Sequence, residues 1–275
     1  MSAVPLLDAQ AYRSDYKPIW CPGCGDYTVV AALAKAFAEL GLARENTVLV
    51  SGIGCSSRLP AYASTYGFHG VHGRALALAT GVKVARPELT VVVASGDGDA
   101  FSIGGNHFLH AARRNVDLTC IVMDNQVYGM TKGQASPTTP ADWCESALTP
   151  HGTGVTSFHP LVIAVAAGAT FVARGFAGDP SFTKRLIVEA IRHRGFSLVQ
   201  ILSPCVTYRP EQKEWKSIVR RGKEFAPTAA HAAKWLLTDD GFNTGILFQE
   251  QRPVFDPRRA GEGSLARIEA EFRAG

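Results

Sequence analysis

The stretch TVVVASGDGDAFSIGG (90–105) decides the fold. Its first half is short, apolar and β-branched, the composition of a strand buried on both faces. It runs straight into a glycine-rich turn, GDGDAFSIGG (96–105), after which the pattern becomes helical to about Arg114. A turn of this kind, between the carboxyl end of a parallel strand and a helix, is where open α/β sheets bind phosphate. Backbone N–H groups and the helix N-terminus face the anion there. A dinucleotide fingerprint would need glycine where Phe101 stands, and the chain holds no GxxxxGK[ST] run.

Outward from this point the same alternation repeats. TVLVSG (47–52), LTCIVMDN (118–125), ATFVAR (169–174) and FSLVQIL (196–202) read as strands. The first helix carries Val29, Val30, Leu33, Phe37 and Leu40 on one face, with Asp26 as its cap and Gly41 as its stop. Others are expected over 74–86, about 159–168, and from Pro180 to about Arg194. Strands alternating with helices predict an α/β fold around a mostly parallel sheet. Residues 1–20 read as a polar arm and 21–205 as the domain. Residues 206–275 form a C-terminal extension that wraps the domain or reaches a partner, or else is loosely ordered. Within it PTAAHAAKWLL (227–237) is amphipathic, and GILF (245–248) suits an edge strand.

The 275 residues can bury a substantial core without staples. With 46% apolar and 19% charged residues the composition is globular rather than disordered. No apolar run approaches the roughly 18 residues of a membrane span. The opening MSAVPLLDAQAYRSDY lacks the pattern of a signal peptide, so a cytoplasmic location is expected. The net charge of +4 is spread without a basic stripe, which gives no reason to expect nucleic acid as a partner.

Asp97 is a hard oxygen ligand, and Gly96 and Gly98 on either side allow close backbone approach to a diphosphate. One strand later, DNQVYGMTKGQ (124–134) puts Asn125 at the matching strand end. Asp97 and Asn125 can share one divalent cation, and magnesium suits them because phosphates complete its octahedron. Taken singly these are ordinary turn residues. As a pair on neighbouring strands they form a specific signal.

The six cysteines stand at 21, 24, 55, 120, 144 and 205, with one close pair in WCPGCGDY. A thioredoxin-type redox motif would follow an apolar strand, but DYKPIW precedes this one. A zinc site would want a second close pair of ligands. The third reading is an iron–sulfur cluster on Cys21, Cys24, Cys55 and Cys205, with Cys120 as a buried structural thiol and Cys144 without a role.

GDG, 26 further residues and then Asn resembles the thiamine-diphosphate motif, in which the Asp, the Asn and a carbonyl two residues on bind magnesium. Here those are Asp97, Asn125 and Val127. WCPGCGDY, SGIGCSSRLP, GFHGVHGRALALATGVK, GDGDAFSIGGNH, DNQVYGMTKGQASPTT and SPCVTY, in this order over about 15–210, resemble the β subunit of 2-oxoacid:ferredoxin oxidoreductases, most closely the 2-oxoglutarate enzymes. The resemblance implies an open, mostly parallel sheet with helices on both faces, the diphosphate-binding half of a thiamine fold. It also implies one [4Fe–4S] cluster on the four cysteines named above. Ile53, Gly54, Cys55, Ser56, His72, Gly98, Asp99, Gly129 and Met130 would border the cofactor, together with Gly96. Arg58 and Lys132 are candidates for holding substrate carboxylates.

The implied reaction is oxidative decarboxylation of a 2-oxoacid to acyl-CoA and carbon dioxide, with single electrons passing through the cluster to ferredoxin. Run backwards, it is a reductive carboxylation. 2-Oxoglutarate is favoured over pyruvate, since a second carboxylate suits two cations. No glutamate here matches the one that thiamine enzymes place against the pyrimidine. An α subunit with a pyrimidine-binding domain is therefore expected, in a heterodimer or a dimer of heterodimers. An iron-free thiamine lyase and a non-catalytic electron-transfer subunit are the alternatives.

Overall fold

A computed structural model describes residues 7–222 and 226–256. The strands are β1 (Thr47–Ser51), β2 (Tyr66–His69), β3 (Thr90–Gly96), β4 (Leu118–Asp124), β5 (Phe171–Phe176), β6 (Phe196–Leu202), β7 (Arg220–Arg221) and β8 (Asn243–Gln249). The helices are α1 (Asp26–Leu40), α2 (Ala75–Ala85), α3 (Gly105–Arg114), α4 (Pro160–Ala167), α5 (Pro180–Arg192), α6 (Trp215–Ile218) and α7 (Ala229–Leu236). One open sheet runs in the order β2-β1-β3-β4-β6-β5-β8-β7. It is parallel from β2 to β5, and β8 joins β5 antiparallel. Among the described residues no helix is long and apolar enough to cross a membrane.

Strand alternation sorts the core onto the two faces. Leu49, Val92, Ile121 and Val199 face α1 and α5, where Val29, Leu33, Phe37 and Leu186 fill the layer. Val50, Val93, Val122 and Leu198 face α2, α3, α4 and α7. Both layers are apolar, so every residue of β4 is buried. The chain leaves β1 outward to β2 and returns through α2 to β3 on the other side. The crevice between the carboxyl ends of β1 and β3 is therefore a topological switch point, the usual ligand position in open α/β sheets.

Register brings the functional turns level. Gly96 pairs with Met123, and Asp124 pairs with Leu202. Asp97, Asp124 and the loop at Ser203 thus emerge side by side, with the turn after Ser51 on the far side of β3.

Several details differ from the sequence reading. Asp26 is not the cap of α1: Gly25 occupies that position, and Asp26 is buried in the first turn. The loop after β6 crosses this helix end, and Ser203 Oγ donates to Asp26 Oδ1 at 2.7 Å. The helix after the glycine-rich turn begins later than expected, because a five-residue π-turn (Asp99–Ile103) precedes α3. β2 carried no sequence signal, since it is a four-residue edge strand with every side chain exposed.

The tail is integrated rather than draped. Ala232 and Leu236 of α7, with Leu247 and Phe248 of β8, belong to the core layer on one face. Thr228 caps α7 by accepting from His231 N at 3.3 Å. Arg174 of β5 forms a buried ion pair with Asp239, also donates to Gln200 Oε1 at 2.9 Å, and reaches the carbonyl of Asn243 at 3.2 Å. The last stretch of the extension, 257–275, lies outside the described residues.

Asp239→Ala leaves the buried Arg174 guanidinium without its carboxylate. The expected cost is about 3 kcal/mol, measured by denaturant unfolding of the purified protein. A change within about 0.5 kcal/mol, the size of an ordinary surface substitution, would show that 226–256 is not part of the cooperative core.

Candidate cofactor site

The switch-point crevice holds a cavity of about 230 Å³ at the ends of β1, β3 and β4. Every residue that the sequence places at the cofactor or its magnesium lines it: Ile53, Gly54, Cys55, Ser56, His72, Gly96, Asp97, Gly98, Asp99, Asn125, Val127, Gly129 and Met130. Arg58 and Lys132 do not line it. Both are exposed, although Ser56 and Thr131 beside them are in the wall.

Asp97 is 2% exposed and Asp124 is fully buried. Thr138 Oγ1 stands 2.8 Å from Asp97 Oδ2 and 2.8 Å from Asp124 Oδ1. One hydroxyl proton cannot serve both carboxylates. Ser136 Oγ also donates to Asp97 Oδ2, which leaves Oδ1 with no side-chain donor among the described residues. Burial, and then the neighbouring Asp124 charge, push the Asp97 carboxyl above its ordinary range. Two buried carboxylates short of positive charge are what a divalent cation would relieve.

Asn125 Oδ1 accepts from Val127 N at 3.1 Å, and this turn fixes the side chain. The Val127 carbonyl accepts no hydrogen bond among the described residues. The donor set is therefore one carboxylate oxygen, one amide and one carbonyl, all oxygens and at most singly charged. That fits magnesium completed by phosphate oxygens. Ser56 Oγ supports the same reading. It is buried in the cavity wall and has no hydrogen-bond partner among the described residues, and a group with phosphate oxygens would satisfy it.

Asp99, in the cavity wall, also has a structural task. Its Oδ1 accepts from Ile53 N at 3.1 Å and Gly73 N at 2.7 Å, while Oδ2 accepts from Ser95 Oγ at 2.8 Å. The carboxylate pins the loops after β1 and β2 to the start of the π-turn. Gly52 is needed for this, because a Cβ there would stand 1.8 Å from Asp99 Oδ2. Gly98 is fixed similarly, since its Cβ would fall 2.2 Å from the Tyr128 ring.

The four cysteines come from three segments held against one another. Trp20 Nε1 donates to the Cys55 carbonyl at 2.8 Å, and Gly25 N donates to the Pro204 carbonyl at 3.2 Å. Cys205 N donates to Gln212 Oε1 at 2.9 Å. A Cβ on Gly129 would lie 3.7 Å from Cys55 Sγ and 4.0 Å from Cys205 Sγ, so two sulfurs flank a residue of the cavity wall. Burial pushes the Cys55 thiol up to about 12, with Asp26, Cys205 and Cys21 adding to it. Burial also raises Cys24, and the charges of Asp26, Cys55 and Cys205 raise it further. A metal centre that took these thiols as thiolates would have to supply the positive charge that burial withholds. Among the described residues no three His, Cys, Asp or Glu side chains are placed to hold a single metal ion. Cys120 is fully buried in β4 and Cys144 is exposed.

Ser136, Thr138, Asp124 and Gln200 were not singled out as site residues by sequence. SPTT (136–139) follows Asn125 closely, but its return to Asp97 depends on the loop. Thr139 Oγ1 donates to the Gln126 carbonyl at 2.7 Å and receives Ser136 N at 2.8 Å. His69, the first histidine of its motif, contacts the Ser57 carbonyl at 3.1 Å and stays outside the cavity wall.

Comparison with known proteins agrees with this geometry. Residues 52–201 match the family described as thiamine pyrophosphate enzyme, C-terminal TPP binding domain. The chain is 43% identical over 264 residues to 2-oxoacid:ferredoxin oxidoreductase 2, subunit beta, of Aeropyrum pernix, covering 90% of this chain and 85% of that one. It is 48% identical over 202 residues to the 2-oxoglutarate synthase subunit KorB of Archaeoglobus fulgidus, covering 73% of this chain and 75% of that one. Among solved structures it superposes with a TM-score of 0.87 and 39% identity on the 2-oxoglutarate:ferredoxin oxidoreductase from Magnetococcus marinus with 2-oxoglutarate, coenzyme A and succinyl-CoA bound. That match covers 97% of this chain and 91% of the other. Likeness at this level along nearly the whole of other β subunits, beyond the thiamine domain they share with many enzymes, means that the chain belongs to the β-subunit family of the 2-oxoacid:ferredoxin oxidoreductases.

Proposed function

We propose that this chain is the β subunit of an enzyme that oxidatively decarboxylates 2-oxoglutarate to succinyl-CoA and carbon dioxide and delivers single electrons to ferredoxin. The observation that carries the reading is the common wall at Gly129. The cavity fit for a diphosphate and the thiols fit for a cluster meet there, so electrons can leave the reacting centre without crossing solvent. The choice of 2-oxoglutarate rests on the names of the relatives and on the ligands of the Magnetococcus marinus structure.

In this reading Asp97, Asn125 and the Val127 carbonyl hold magnesium, and Ser56 with the backbone of Gly96 and Gly98 meets the diphosphate. Cys21, Cys24, Cys55 and Cys205 hold a [4Fe–4S] cluster. Thiamine diphosphate, when bound, supplies the carbanion chemistry of decarboxylation. The protein's part is to orient it, exclude water and place an electron acceptor beside it. Arg58 and Lys132, each within two residues of the wall, take the substrate carboxylates. The cytosol, where thiols stay reduced, suits a chain whose six cysteines are all unpaired.

An α subunit completes the site. Among the described residues no glutamate lines the cavity, and in this reading the carboxylate that a thiamine pyrimidine needs comes from a partner. Ile103 and Met130 in the wall are each 56% exposed, and Tyr66 and Phe68 on the edge strand β2 are 64% and 50% exposed. An apolar mouth of this kind suits burial under another subunit.

Serine at Cys21, Cys24, Cys55 or Cys205 should degrade or remove the cluster, while Cys120→Ser and Cys144→Ser keep it. Iron and sulfide analysis checks this, and a full iron complement in Cys205→Ser would contradict the ligand set. Arg58→Leu should raise the KM for 2-oxoglutarate more than that for pyruvate, and equal effects would remove Arg58 from substrate recognition. The complex with the α subunit should contain iron, sulfide and thiamine diphosphate and reduce viologen with 2-oxoglutarate and coenzyme A. The β chain alone, reconstituted with the same groups, should be silent. Turnover by the lone chain would place the missing carboxylate here, and an active complex without iron would favour the iron-free lyase.

A further inference from the structure

A second opening shares the cysteine loops with the cofactor cavity. It is a groove of about 700 Å³ whose wall includes Gly23, Cys24, Pro204, Val206, Lys213 and Lys216. Cys55 lines the cavity and Cys24 lines the groove, so the thiol set reaches both openings. An electron that enters a cluster beside Cys55 therefore has a short way out beside Cys24.

The charge of the groove is one-sided among the described residues, none of whose Asp or Glu side chains lines it. Lys213 and Lys216 are exposed, and neither forms an ion pair or hydrogen bond among the described residues. The third cation, Arg209, is spoken for: it pairs with Glu211, donates to the Gln126 carbonyl at 2.9 Å and lies 4.6 Å over the Trp143 ring. Surrounding charges are already matched, Arg220 with Asp240, Arg221 with Asp179 and Lys184 with Glu39. Glu214, exposed between the two lysines in sequence, is outside the groove wall. Val206 is 41% exposed, an apolar element between the lysines and the cysteine loop.

The geometry points to this groove as the docking site of an acidic one-electron carrier protein with an iron–sulfur centre, seated on Lys213 and Lys216 above Cys24. The inference rests on Cys24 being a cluster ligand. Each docking moves one electron: the cluster is oxidised by one and the carrier's centre is reduced by one. Oxidation of one 2-oxoacid releases two electrons, so two carriers dock in succession and the first must leave quickly. Two exposed lysines suit that need. They raise the encounter rate and weaken steeply with salt, whereas a large apolar interface would hold the carrier.

The test uses the whole complex and a purified ferredoxin of net negative charge, with binding followed by titration calorimetry at low and high salt. K213E/K216E should weaken ferredoxin binding about tenfold or more at low salt, with the difference closing as salt rises. Glu214→Lys should tighten it. Iron content and viologen reduction with 2-oxoglutarate and coenzyme A should stay at the parent level. Unchanged ferredoxin affinity in K213E/K216E would overturn the proposal. So would a raised KM for coenzyme A in the viologen assay, which would make the groove a coenzyme site, or loss of the α subunit on gel filtration, which would make it a subunit interface. Failure of the underlying function reads out separately, as a parent complex that lacks iron or does not reduce viologen.

Discussion

Asp97 and Asp124 stand buried at the ends of adjacent strands with the single proton of Thr138 between them. Much of the molecule is arranged around that concentration of negative charge. On one side Gln200 Nε2 donates to Asp124 Oδ2 at 2.6 Å and passes the contact through its Oε1 to Arg174. Arg174 in turn is paired with Asp239 of the tail. On the other side Asp97 opens to the cavity, where the proposed divalent cation would sit. A buried polar chain of this kind is stable only when every member is satisfied. The sheet, the SPTT loop and the tail thus hold one another through the same carboxylates.

Parallel topology explains why so many functional groups meet in so small a space. β1, β3, β4 and β6 are consecutive neighbours in the sheet, and all four release their chains at the same edge. They deliver Cys55, Asp97, Asn125 and Cys205 in turn. Neighbouring strands are about 4.8 Å apart, so four strand ends span about 14 Å, roughly the room that a diphosphate and a small cluster need side by side. Asp99 completes the arrangement by fastening the loops that follow β1 and β2. Its carboxylate, which the sequence places at the cofactor, is taken up in bonds to the protein itself.

The same layout gives the chain two faces with different duties. Toward the cavity mouth the exposed side chains are apolar, as Ile103 and Met130 show. Toward the groove beyond the cysteines they include unpaired lysines. An enzyme that must bury a reactive centre and yet hand out electrons needs both a dry side and a wet one, with the redox group between them.

Residue type and order settle a large part of this. Short β-branched runs that end in glycine, alternating with helices, determine a parallel α/β sheet, because only strands buried on both faces read that way. The spacing from Asp97 to Asn125, and the cysteines at 21, 24, 55 and 205, mark the groups proposed to carry chemistry, since their types are costly or reactive anywhere else. What the chain order cannot express is which distant groups share a proton or a wall. Thr138 between two carboxylates, Arg174 against Asp239, Ser56 without a partner and Cys24 open to a groove of lysines are outcomes of packing between remote segments. Their side chains are ordinary in local sequence. Tertiary structure alone decides them, because hydrogen bonds and burial depend on distances that exist only once the sheet has brought its strand ends level.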